Sequence, residues 1–296
     1  MDFGFVFITP VTGWALTLVL AAAFIHATWN FLNKKASGHA TFTWWVAVLS
    51  AALYAPLAAA MIFHWQARVD LTTIGLMAGS AALHAAYFIF LNEGYRAGDL
   101  SLVYPLARGT GPLLATAAAI VFLGERPSIV ALAGGLLVIA GIVMLTGNPK
   151  KFSQIGASKA MIFALATGTV IAAYTLWDKQ AVSAFAVAPV LLDWGANFGR
   201  ALLLTPFALR HRDKARIEWQ VHRREAIGVA LLLPLSYILV LTAMQFTPIS
   251  YVAPAREISI LIGTGMGTRL LAEGDARRRL TGAAAMLIGV IGLAVG

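Results

Sequence analysis

The chain has no cysteine, which excludes disulfides, thiolate metal centres and a cysteine nucleophile. Charge is scarce as well: 12% of the 296 residues are Asp, Glu, Lys or Arg, about half of what a soluble domain carries. No loop of the G-x-x-x-x-G-K-[S/T] type occurs, which argues against direct use of ATP. The opening Met1-Asp-Phe-Gly-Phe-Val lacks the basic region of a cleavable signal, so the first apolar run is expected to be retained as a helix. What the chain does have is apolar length. Hydrophobic residues make up 59% of it, and its mean hydropathy is +0.79.

Apolar runs of about 20 residues match the thickness of a bilayer core. The sequence offers ten: 12–33, 41–63, 73–94, 99–122, 128–146, 159–178, 187–208, 226–246, 250–271 and 279–296. All are expected to be helices, because open strand edges cannot be satisfied in hydrocarbon. Little chain is left for loops.

The second half repeats the first. Ser101-Leu-Val-Tyr-Pro105 returns as Ser250-Tyr-Val-Ala-Pro254, Glu125 as Glu273, and Gly134 and Gly141 as Gly282 and Gly289. Trp44, Pro56 and Lys34 return as Trp194, Pro206 and Lys179. The expected fold class is therefore an all-α membrane protein of ten transmembrane helices, in two five-helix units, 1–148 and 149–296. An odd number of spans per unit inverts the second copy relative to the first, an architecture typical of secondary transporters.

The formal charge of +9 does not point to nucleic acid, because the cations are dispersed among short turns. Sixteen of the 22 Lys and Arg fall in the odd turns, three (Arg68, Arg126 and Lys179) in the even turns, and Arg108, Arg200 and Arg256 inside spans. By the positive-inside rule the odd turns are cytoplasmic and both termini extracytoplasmic. The run Arg210–Arg224 reads as a solvated basic loop beside anionic lipid.

Gly98-Asp-Leu-Ser-Leu-Val-Tyr-Pro105, with Pro112 and Leu123-Gly-Glu125, resembles the pattern of the EamA branch of the drug/metabolite transporter superfamily. His26-Ala-Thr-Trp-Asn30 and Tyr174-Thr-Leu-Trp-Asp-Lys179 are similar to stretches of some members. The resemblance implies a bacterial inner-membrane carrier of small metabolites, commonly an exporter of amino acids or related compounds. It also implies a central cavity walled by helices 3, 4, 8 and 9 with 1 and 6, and peripheral helices 5 and 10. Many members keep both termini in the cytoplasm, so the charge count here departs from that pattern.

Arg108 and Arg256 are the costliest residues in the chain, since charge near the middle of a span normally faces a bundle interior or a wet cavity. Arg108 follows Ser101 by seven residues, and Glu257 follows Ser250 by seven. In inverted repeats both therefore approach the midplane. Pro105 and Pro254 break the two helices close by. Either the arginines offer guanidinium forks to an acid group of the substrate, or Glu257 neutralises Arg108. Asp193, Asn197 and Arg200 share a face of helix 7, and that set reads mainly as packing glue.

His26 and Asn30 form a stripe on helix 1, with Asn33 beside them, and His84 and Tyr87 another on helix 3. Each is a candidate for the cavity wall or for interhelical hydrogen bonding. Tyr104, Tyr174, Trp177, Tyr237 and Tyr251 are candidate aromatic walls, whereas Trp44, Trp45, Trp65 and Trp219 read as interfacial. Glu125 and Glu273 are expected to cap the helix that follows each, and Asp178-Lys179 reads as an end-of-helix pair.

The reading that follows is a non-enzymatic secondary transporter, an exporter by family habit. Its substrate would be a small anionic or zwitterionic, amino-acid-like metabolite, moved by alternating access. Substrate-binding candidates are Arg108, Arg256, His26, Asn30, Tyr87, His84, Tyr237 and Trp177, with Glu257 balancing charge. Membrane lipid is the expected surround, protons are a candidate coupling ion, and no cofactor, metal or nucleic acid is expected. The alternatives are a flippase for a phosphorylated lipid and, with less support, an intramembrane enzyme acting on a lipid phosphate.

Overall fold

A computed structural model describes residues 13–36, 39–123, 128–146, 155–246 and 257–295, and the regular structure among them is all helical. Ten helices follow one another: α1 (Gly13–Ala36), α2 (Ala40–Phe63), α3 (Leu71–Ala97), α4 (Leu100–Leu123), α5 (Ile129–Thr146), α6 (Ile155–Ser183), α7 (Pro189–Arg210), α8 (Arg212–Phe246), α9 (Ser259–Leu270) and α10 (Ala276–Val295). Four stretches, Ala40–Phe63, Leu71–Ala97, Ser158–Ser183 and Arg212–Ala243, are long and apolar enough to cross a membrane. The exterior is apolar too: Leu136 is 68% exposed and Ile162 63%. Such an outer surface suits lipid and not water, and the chain is a multi-pass membrane protein.

Two elements differ from the apolar runs. α6 continues past 178 to Ser183, which carries Asp178 into the helix interior. α8 begins at Arg212, well ahead of the expected 226, and His222 (φ −117°, ψ 21°) interrupts it. The basic run is thus largely helical, because Ala215 and Trp219 find partners on α2: the Trp45 indole donates to the Ala215 carbonyl at 2.8 Å, and the Trp45 and Trp219 rings lie 4.7 Å apart. The described part of the ninth span is the helix from Ser259, after a turn at Glu257 and Ile258; its expected start at 250 lies outside the described residues.

Packing follows a regular scheme. α1 lies on α8 and α3 on α6; α3 also lies on α7 and α8 on α2; α4 touches α6 and α9 touches α1. α2 with α7, α4 with α9, and α5 with α10 complete the set. The α5–α10 seam explains the recurring glycines. A Cβ on Gly141 would sit 2.7 Å from the Gly282 carbonyl oxygen, and one on Gly289 2.6 Å from that of Gly134. Only hydrogen at those positions lets the backbones meet.

Helix ends are secured in two ways. Asp70 caps α3 locally, accepting from the Thr73 amide and hydroxyl, each at 2.8 Å. Those two bonds hold its carboxyl below the usual carboxylate range. α4 is capped from afar. Glu273 accepts from the Leu100 amide at 2.8 Å, the Ser101 amide at 2.9 Å and the Ser101 hydroxyl at 2.5 Å. Arg279 donates to the Ser101 hydroxyl and, at 2.5 Å, to Asp99. Glu273 therefore caps α4 and not the helix that follows it, because the preceding turn aims it across the bundle. In that turn Ala272 takes φ 52°, a left-handed backbone that costs a non-glycine residue on the order of 1 kcal/mol.

Candidate functional site

Aromatic residues from four helices surround a small cavity of about 30 Å³, room for about one water molecule. α1 contributes His26 and Trp29, α3 His84, Tyr87 and Phe88, α6 Tyr174, and α8 Leu233, Ser236 and Tyr237. α7 contributes Asp193, Ala196, Asn197 and Arg200. The rings pack edge to face or tilted: His84 lies 4.3 Å from Tyr174 and 5.4 Å from Tyr237, and Tyr87 lies 5.6 Å from Tyr174. Aromatic rings so grouped offer a surface that a cation can approach.

Two charged groups of opposite sign adjoin this aromatic box. Behind it, Asp178 is 1% exposed; its Oδ2 meets His84 Nε2 at 3.0 Å and accepts from the Tyr237 hydroxyl at 2.6 Å. Its Oδ1 is buried and makes no hydrogen bond. Across the cavity Arg200, 1% exposed, lays its guanidinium 4.4 Å over the Phe88 ring. It donates to Asn197 Oδ1 at 2.5 Å, and Asn197 in turn donates to Asp193 Oδ2 at 3.0 Å. Arg200 Nε is buried without a hydrogen-bond partner. A buried carboxylate oxygen and a buried guanidinium N–H left unsatisfied are expensive arrangements; Arg200 lines the cavity itself, and Asp178 stands behind its wall, bonded to the lining residues His84 and Tyr237.

Of the residues singled out from sequence, His26, His84, Tyr87 and Tyr237 line the cavity. Asn30 does not; it accepts from the Tyr95 hydroxyl at 2.7 Å and donates to the His26 carbonyl at 2.9 Å. Asn33 likewise ties α1 to α3 through Asn92 at 2.8 Å. Trp177 donates to the Leu76 carbonyl at 2.9 Å and packs on Gly79, fastening α6 to α3.

Arg108 also lies off the cavity. It holds Glu257 in a two-pronged pair, Nε to Oε2 at 3.0 Å and Nη2 to Oε1 at 2.6 Å, with both side chains at most 4% exposed. The pair joins α4 to the turn before α9. Close by, Tyr104 approaches Gly263 so nearly that a Cβ there would lie 2.6 Å from the ring. Pro105 stands within α4, where it cannot donate to the Ser101 carbonyl. Pro254 and Arg256 lie outside the described residues, as do Glu125 and Tyr251.

α7 thus supplies four lining residues where the resemblance implies none, while among the described residues α4 and α9, which pack on each other, supply none. Asp178 is the residue that sequence reasoning missed. Its signal was present in the i, i+4 spacing from Tyr174, and reading 178 as the end of the span concealed it. Among the described residues no group of three His, Asp or Glu is placed to hold a metal ion.

Residues 13–147 match the EamA-like transporter family. No curated protein matches the sequence. One solved crystal structure shares the fold, with a TM-score of 0.60 over 97% of this chain and 98% of that chain, at 17% identity.

Proposed function

We propose that the chain, whose residues 13–147 match the EamA-like transporter family, is a membrane transporter, and that it is a secondary carrier of a small zwitterionic metabolite. Alternating access would be provided by two inverted five-helix repeats, 1–148 and 149–296. The packing scheme supports the repeats, since exchanging α1–α5 for α6–α10 maps the main helix pairs onto themselves. The turn before α9, which carries the paired Glu257, suits the discontinuous helices on which such carriers are built.

The observation that carries the substrate class is the pair of unsatisfied buried groups, Arg200 Nε on an aromatic cavity and Asp178 Oδ1 on a carboxylate bonded to two of that cavity's wall residues, His84 and Tyr237. The nearby groups count one guanidinium against two carboxyls, Asp178 and Asp193. A substrate ammonium beside the rings and Asp178, with its carboxylate on Arg200, would satisfy both ends. Arg108 and Glu257 act on this reading as a neutral clasp between α4 and α9. At about 30 Å³ the cavity must widen to admit such a ligand, as a site between moving repeats does.

Export, a bacterial inner membrane and extracytoplasmic termini belong to the same proposal, the last supported by the sixteen cations of the odd turns. A thermal-shift screen of the purified protein with amino acids, their methyl esters and their decarboxylated amines tests the substrate class. An amino acid that binds raises the apparent melting temperature, whereas its ester and amine do not. Equal shifts for acid and ester would remove Arg200 from the site. For topology, cysteine placed at Ser128 reacts with an impermeant thiol reagent in intact cells and cysteine at Ser153 does not; the opposite pattern inverts the orientation.

A further inference from the structure

Between α7 and the transmembrane part of α8 runs a helical segment, residues 212–221, bounded by non-helical backbone at His211 (φ −120°, ψ 45°) and His222 (φ −117°, ψ 21°). One side of it is already occupied. Ala215 is buried, Trp219 packs on Trp45, Glu218 accepts from the His39 amide at 3.4 Å, and His222 lies edge-on to Phe42 at 6.5 Å. These contacts fix the segment against the first turns of α2. The opposite arc is exposed and divided. At 100° per residue Arg212 and Arg216 fall on one flank, while Ile217 and Val221 fall on the other, with Lys214 at its edge beside Val221. Ile217 is 57% exposed and Val221 63%.

The cations on this arc have no ion-pair partners. Arg212, Lys214, Arg216, Arg223 and Arg224 are all exposed, and none enters a salt bridge among the described residues. Glu225, by contrast, is engaged by Lys35 at 3.0 Å. A solvated basic loop would need no apolar flank, and a buried helix would not carry five unpaired cations. Joined to two membrane helices, the segment is held at the boundary of the bilayer, where an apolar flank beside a basic one fits acyl chains and phosphates together.

We propose that residues 212–224 form a docking surface for anionic phospholipid, with Ile217 and Val221 set among acyl chains and Arg216, Arg223 and Arg224 on headgroup phosphates. This rests on the membrane setting of the chain and not on its substrate. The surface continues through His222 into the part of α8 that carries Tyr237 to Asp178, so lipid held there bears on one wall of the cavity.

Amide exchange of the full-length protein in phosphatidylcholine vesicles, with and without phosphatidylglycerol, reads this surface directly. Phosphatidylglycerol is expected to slow exchange across 212–224, and each cation neutralised among R216Q, R223Q and R224Q to reduce that added protection about fivefold. Melting in phosphatidylcholine alone, unchanged by the three substitutions, confirms that the variants are folded. Equal exchange in the two vesicle types overturns the proposal. So does full phosphatidylglycerol protection of the triple variant, or equal protection by inorganic phosphate added to phosphatidylcholine vesicles, which would make the ligand a free anion.

Discussion

Arg108 and Arg200 are both arginines deep in the bundle, 2% and 1% exposed, yet they are treated in opposite ways. Arg108 meets a carboxylate in two parallel bonds, and the pair closes on itself between α4 and α9. Arg200 is held by an amide and a ring face, one of its N–H groups is left unsatisfied, and the nearby carboxyls are engaged elsewhere or turned away. A closed pair has nothing to offer a ligand, and opening it strands a charge. An open set is poorly satisfied until something completes it. On the proposed function, the difference separates a charge that fixes structure from one that takes a substrate's acid group.

The strongest challenge to that distinction is Arg108→Gln. Removing one member of a buried pair costs about 3–5 kcal/mol because the other charge is stranded. The variant should melt far below wild type, and Glu257→Gln added to it should restore most of the loss. Melting of R108Q at the wild-type temperature would show that the pair is not closed. Next come Arg200→Gln and Asp178→Asn, which should melt much nearer to wild type and weaken binding of an amino acid on the order of 10-fold to 100-fold, the worth of a hydrogen bond to a charged group. If R200Q instead melts as early as R108Q and binds normally, the two arginines are alike after all.

Glu273→Ala sharpens the comparison from outside the membrane core. It removes a carboxylate that caps α4 and steadies Arg279, so a loss of about 1–2 kcal/mol is expected in chemical or thermal unfolding. The smallest effect is that of Asp70→Ala. Asp70 is an exposed cap whose carboxyl is held below its usual range by Thr73. A depressed carboxyl stabilises the fold above its unfolded value and loses that contribution as pH falls through its folded value. The slight fall in melting temperature of D70A near neutral pH should therefore fade in acid.

Hydropathy carried the helices well, since each span must present apolar residues to lipid whatever its neighbours are. The positions of Arg108 and Glu257, seven residues past matching serines, were enough to raise their pairing as one of two readings. Three things were not legible. The membrane limit and the helix end differ at Asp178, which an apolar run cannot reveal. Which side of α7 faces the cavity depends on how α7 is turned against α3, so Arg200 read as packing glue. Residues 212–221 are too rich in charge to register as an apolar run, although Ala215 and Trp219 give them a folded face.

The cap on α4 also sets an order of manufacture. Leu100 and Ser101 find their acceptor 173 and 172 residues later in the chain, and Arg108 finds its partner 149 residues later. While the ribosome is still translating the second half, the fourth helix must sit in the translocon or the lipid with an unfinished end and an unanswered cation. A chain interrupted before Glu257 would keep both defects, so the fourth helix is finished only when the last part of the chain has arrived.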